Sequence, residues 1–105
     1  MIAWTFQPES LGPLPSSVEL APEPGPGVEF VVPDWLHLPD LDALPSLRVV
    51  QVLSAGVDWI ADHLPAGVTL CSARGARDRA MAEWVVAAIL ADAKQARECA
   101  ELQAR

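Results

Sequence analysis

The chain has 105 residues and a formal net charge of −7, a size that fits one domain with a single core. Apolar residues make up 51% of it, which sets it apart from disordered chains. No apolar run approaches the ~20 residues that span a bilayer. All lysines and arginines lie at or after Arg48, while Glu9, Glu19, Glu23, Glu29, Asp34, Asp40 and Asp42 precede it. A phosphate-binding surface needs clustered cations, so neither nucleic acid nor an anionic membrane is expected as a partner.

Residues 2–6 are apolar and stop before Pro8, as a first strand would. The opening MIAWTFQPES lacks the basic and apolar regions of a signal peptide, so the expected location is the cytoplasm. Residues 11–27 carry GPLPSS and PEPGPG, and no regular helix persists through such a stretch. A first crossover helix is therefore expected to be missing or reduced to a turn. VEFVV, residues 28–32, is a strand closed by Pro33. Residues 41–44 form a brief helix with Asp40 as N-cap and Pro45 as its stop.

Residues 47–53 read as a parallel strand buried on both faces. A short helix follows over residues 59–63, then a strand over 68–71. Asp78 is the expected N-cap of a helix continuing to about residue 102. Strands alternating with helical connections predict an α/β domain with a parallel sheet. From Ala80 the last helix reads AMAEWVVAAILA, with Glu83 the sole charge. A helix apolar on all sides is buried on all sides. A small sheet covers one of them, so the side bearing Trp84, Val85, Ala88 and Ile89 needs a missing domain or a partner subunit.

Three segments carry a resemblance: LPSLRVVQVLSAGVD, LPAGVTLCSARG and AEWVVAAIL, in this order and spacing. Together they resemble the substrate-binding domain of the NAD-dependent D-isomer-specific 2-hydroxyacid dehydrogenases, from Leu44 to about Ala93. Ser72 departs from the pattern, where many relatives carry Asn. The resemblance implies a flavodoxin-like parallel sheet with flanking helices, incomplete and ending in a long apolar helix. Residues 1–105 would then be a single partial domain, with helix 78–102 packed on the dinucleotide-binding domain or on the second subunit of a homodimer. It also implies that the backbone amides of Ser54, Ala55, Gly56 and Val57 bind the carboxylate of a small 2-hydroxy or 2-oxo acid. The position fits independently, because ligands of open α/β sheets sit where a strand's carboxyl end meets a helix start. Without the resemblance, SAGVD reads as a tight strand-to-helix turn that Asp58 helps to cap.

The family's catalytic arginine, histidine and acid, and its glycine-rich loop for NAD or NADP, follow the long helix. No catalytic residue is therefore assigned in this chain, which is expected to be inactive alone. Gly25-Pro26-Gly27 is interrupted by proline and Gly75 stands alone, so no cofactor loop is present. Glu83 is a candidate for a supporting role near the cofactor cleft, since a carboxylate on so apolar a helix must find a partner or shift its pKa. Arg74, Arg77 and Arg79 read as surface or interdomain contacts. Cys71 and Cys99 lack metal-site spacing and read as one buried and one free thiol. His37, in the loop WLHLP, and His63, near a helix end, have no ligand partner in sequence and are given no role. Two other classes remain: a non-catalytic interaction or dimerisation module built on the apolar helix, and a truncated product without activity. A GxGxxG motif downstream of Arg105 would favour the enzyme.

Overall fold

A computed structural model describes residues 1–105 as two compact units, Met1–Arg74 and Gly75–Arg105. The first unit is α/β. Its strands are β1 (Ile2–Thr5), β2 (Glu19–Leu20), β3 (Phe30–Val32), β4 (Val49–Gln51) and β5 (Thr69–Cys71). All pairings are parallel, in the order β2-β1-β3-β4-β5. Helical structure in this unit is slight: 3₁₀ turns at Pro8–Ser10 and Leu41–Ala43, and the single turn α1 (Asp58–Ala61). Asp40 caps the second 3₁₀ turn by accepting from the Asp42 N–H.

The strands are shorter than the apolar runs suggested, and β2 lies inside the Pro/Gly-rich stretch where no strand was expected. It needs no long run of its own, because it adds to the edge of β1 with Ile2 opposite Glu19. As anticipated, the connection between β1 and β2 holds no α-helix, only the 3₁₀ turn Pro8–Ser10. Pro8, Pro13 and Pro15 each remove a backbone donor and obstruct the preceding turn.

Register and handedness divide the sheet into unequal faces. Trp4, Val31 and Val50 are aligned across β1, β3 and β4, and Leu70 continues the row on β5. Their side carries the core, with Val28, Leu41, Leu44, Leu47, Val52 and Ile60. Right-handed crossovers running one way across a sheet all fall on one face, and here they supply Leu41, Leu44 and Ile60. Only the β1-to-β2 connection runs the other way. Within this unit the opposite face, with Phe30, Val32, Gln51 and Leu53, is covered by that proline-rich loop. Residues 47–53 are accordingly not buried on both faces: Val50 and Val52 are fully buried, but Leu53 is 52% exposed.

The second unit holds α2 (Asp78–Ala93) and α3 (Ala96–Gln103). The expected continuous helix to residue 102 does not form. Gln95 adopts left-handed angles (φ 51°, ψ 40°) and ends the first helix. The last helix, ARECAELQ, is short and polar, so the chain does not end in a long apolar helix. Asp78 begins α2 without capping it; Arg77 occupies the cap position, and no side chain bonds the free N–H groups. No residue of α2 is buried, and Met81, Trp84, Val85, Val86, Ile89 and Leu90 are all exposed. No helix is long and apolar enough to cross a membrane.

Candidate functional site

The turn after β4 is built from the core outward. Val52 and Ile60 are fully buried and pin the strand end and α1 to the same side of the sheet. Between them the chain must reverse over residues 53–57. Ser54 closes that turn: its Oγ donates to the Gly56 carbonyl at 2.7 Å and accepts from Trp59 Nε1 at 3.3 Å. A second tie comes from the segment just after β5, where the Ala73 N–H donates to the Ser54 carbonyl at 3.0 Å.

With the turn so held, the N–H groups of Ser54, Ala55, Gly56 and Val57 donate to no protein acceptor. Ala55 and Gly56 are exposed. Gly56 has no left-handed backbone angle, and a Cβ added to it would meet nothing within 4 Å. The fold of this chain does not itself require glycine there. The missing side chain leaves the amides approachable, as an anion would need. Asp58 opens α1 without bonding a cap, and Val57 stands at the cap position. Since α1 is one turn long, its dipole adds little, and the unpaired amides themselves are the anion-attracting feature.

Glu83 lies in the other unit. Its Oε1 accepts from Arg79 Nε at 2.9 Å, one turn earlier on α2, and both side chains are largely exposed. The partner that so apolar a helix seemed to deny this carboxylate is therefore supplied locally. Arg74 and Arg77 are exposed. Cys71, expected to be buried, is only partly covered at the end of β5, and Cys99 is exposed; neither is in a disulfide.

One arrangement was not anticipated. Asp34 Oδ1 accepts from the backbone N–H groups of Leu36 and His37 and lies 2.8 Å from His37 Nδ1. The His37 ring stacks on Phe6 with centroids 5.9 Å apart and planes 13° from parallel. Lost solvation acts to raise the Asp34 pKa, but the hydrogen bonds from the His37 ring and backbone, the His37 charge and the Leu36 N–H outweigh it. The net shift is downward. Phe6 follows β1 and His37 follows β3, so the pair sits where neighbouring connections depart in opposite directions. The available sequence signal was Asp34 three residues before His37, an Asx-turn spacing.

A hollow of about 440 Å³ between the Leu41–Ala43 turn and the end of α1 is lined by Asp40, Asp42, Asp62 and His63. These side chains do not converge, and no group of three or more potential ligands could hold a metal ion. No protein-family model matches the chain, and comparison with curated proteins and with solved structures returns no match.

Proposed function

We propose that this chain is the substrate-binding part of an oxidoreductase acting on small 2-hydroxy or 2-oxo acids with NAD or NADP. The observation that carries the reading is the Ser54–Val57 turn, whose four amides are unpaired at the carboxyl end of a central parallel strand. The strand order adds support, because it is that of flavodoxin-like doubly wound sheets, which bind ligands at this edge. In this reading the amides hold the substrate carboxylate. Ser54 keeps them aimed by bonding Gly56 and Trp59, and Gly56 admits the ligand to the backbone.

The cofactor, the hydride transfer and the proton-moving residues belong to a dinucleotide-binding domain, and Glu83 would act in support of the cleft beside it. The cytoplasm and a homodimer complete the proposal.

Magnitudes limit what the turn does unaided. Two or three amide hydrogen bonds at ~1 kcal/mol each fall short of the ~4 kcal/mol that even millimolar affinity represents. The chain alone therefore holds substrate only at very high concentration and does not bind NADH. Titration of the ¹⁵N-labelled chain with pyruvate should move the amides of Ala55, Gly56 and Val57 before any others. Shifts elsewhere with these three unmoved would reject the site. Submillimolar NADH binding by calorimetry would reject the division of labour.

A second reading draws on α2. Its six exposed large apolar side chains favour an interaction or dimerisation module without catalysis, because exposed apolar surface of that extent marks a contact site.

A further inference from the structure

The sheet face opposite the core encloses a half-open cavity of about 360 Å³. Its floor is Ala3, Phe30, Val32 and Leu53, and its roof includes Leu11 and Leu14 of the proline-rich loop. The cavity follows from the sequence. A helix between β1 and β2 would pack its side chains into this face, but the prolines prevent one, and the loop that replaces it spans the face without filling it.

We propose that this cavity binds an uncharged apolar small molecule of about two aromatic rings, or an alkyl chain of that size, independently of the Ser54–Val57 turn. Three observations lead there. The volume is roughly twice the ~150 Å³ of an apolar cavity that takes up one benzene, and it falls in the range of small-molecule sites. No charged side chain lines it, and the α-ammonium of Met1, a lining residue, donates to the Ser17 carbonyl at 2.9 Å. Of its four polar lining residues, Thr5 and Gln51 are engaged within the chain, and Gln7 and Ser10 belong to the exposed loop: Thr5 Oγ1 accepts from the Gln7 N–H at 3.3 Å, and Gln51 Nε2 donates to the Val52 carbonyl at 2.8 Å. The loop also selects a small occupant over a helix. A helix is ~10–12 Å across with its side chains and would have to displace residues 7–18 to reach Phe30 and Val32.

The test is a naphthalene titration of the full chain labelled at the Ile, Leu and Val methyl groups. Saturable one-to-one shifts at Leu14, Val32 and Leu53 are expected, with Val85 and Ile89 unmoved. Ala3→Leu fills the buried part of the floor and Leu53→Trp fills its half-exposed part. Each should weaken binding about tenfold or more, and the second changes a residue already half exposed, so it tests the site even if the first impairs folding. The charged analogue 2-naphthoate should bind at least about tenfold more weakly than naphthalene. Static methyls up to the solubility limit, shifts confined to α2, or equal binding of 2-naphthoate would each overturn the proposal. So would movement of the Leu14, Val32 and Leu53 methyls on raising protein concentration alone, which would identify a second copy as the occupant.

Discussion

The indole N–H of Trp59 donates to Ser54 Oγ at 3.3 Å, joining the first turn of α1 to the start of the loop that precedes it. The same hydroxyl donates to the Gly56 carbonyl, so one small side chain holds both ends of the turn. Ser54→Ala should cost about 0.5–1.5 kcal/mol in urea unfolding. It should also accelerate hydrogen exchange at Ala73, whose N–H donates to the Ser54 carbonyl, relative to the β4 amides. Unchanged exchange would show that the turn holds its shape without the hydroxyl.

Gly56→Val should leave the fold intact, with stability within about 0.5 kcal/mol, because an added Cβ meets open space. In an enzyme pairing this chain with a dinucleotide-binding domain, the same change should raise KM by about tenfold or more by obstructing the backbone amides. Unaltered kinetics with an unaltered fold would remove the turn from the substrate site.

Ile60 is fully buried and ties α1 to the core behind the turn. Ile60→Val should cost about 0.5–1.5 kcal/mol and Ile60→Ala about 2–5 kcal/mol. Both are read from denaturant midpoints. A loss below 1 kcal/mol for the alanine variant would mean that α1 is not anchored through this side chain.

The Asp34 carboxylate is stabilised in its charged form, so its folded pKa lies below the ~3.9 of an unfolded chain. A lowered acid pKa makes the unfolded state bind more protons in that window, and stability rises with pH through it. The contribution is complete above the unfolded value and disappears as pH falls through the folded one. Asp34→Asn should therefore be less stable than the parent at pH 6. The two should converge as the pH drops below about 3.9. Parallel urea-unfolding series at several pH values decide this, and a pH-independent difference would contradict it.

Val85 and Ile89 are 45% and 62% exposed on a helix without a buried residue. At about 25 cal/mol per Å², covering a few hundred Å² of such surface yields several kcal/mol, enough for association at ordinary protein concentrations if the contact packs well. The parent chain should sediment as a dimer or larger species, and Val85→Lys with Ile89→Lys should return it to monomer. A compact monomeric parent with sharp thermal unfolding would end the argument from the exposed helix.

Local patterns in the sequence were enough for the α/β class, the four longer strands, the absence of a helix between β1 and β2, and the Asp40 cap. Each depends on side-chain periodicity or on proline and capping chemistry, which act over a few residues. The Ser54–Val57 turn was also recognisable, since a small glycine-bearing segment between an apolar strand and a helix is a local signature. Other features were settled only in three dimensions. The two-residue β2 exists because β1 offers it an edge, and no pattern of its own marks it. The thinly covered sheet face follows from crossover handedness, which leaves one connection on that side, so a run that looked doubly buried is fully buried on one face only. The helix break at Gln95 is a backbone conformation that no proline or glycine announces. The Asp34–His37–Phe6 arrangement joins loops that meet only because β1 and β3 are neighbours. Ser54 gained its role in the same way, through an indole five residues away that α1 turns back toward it.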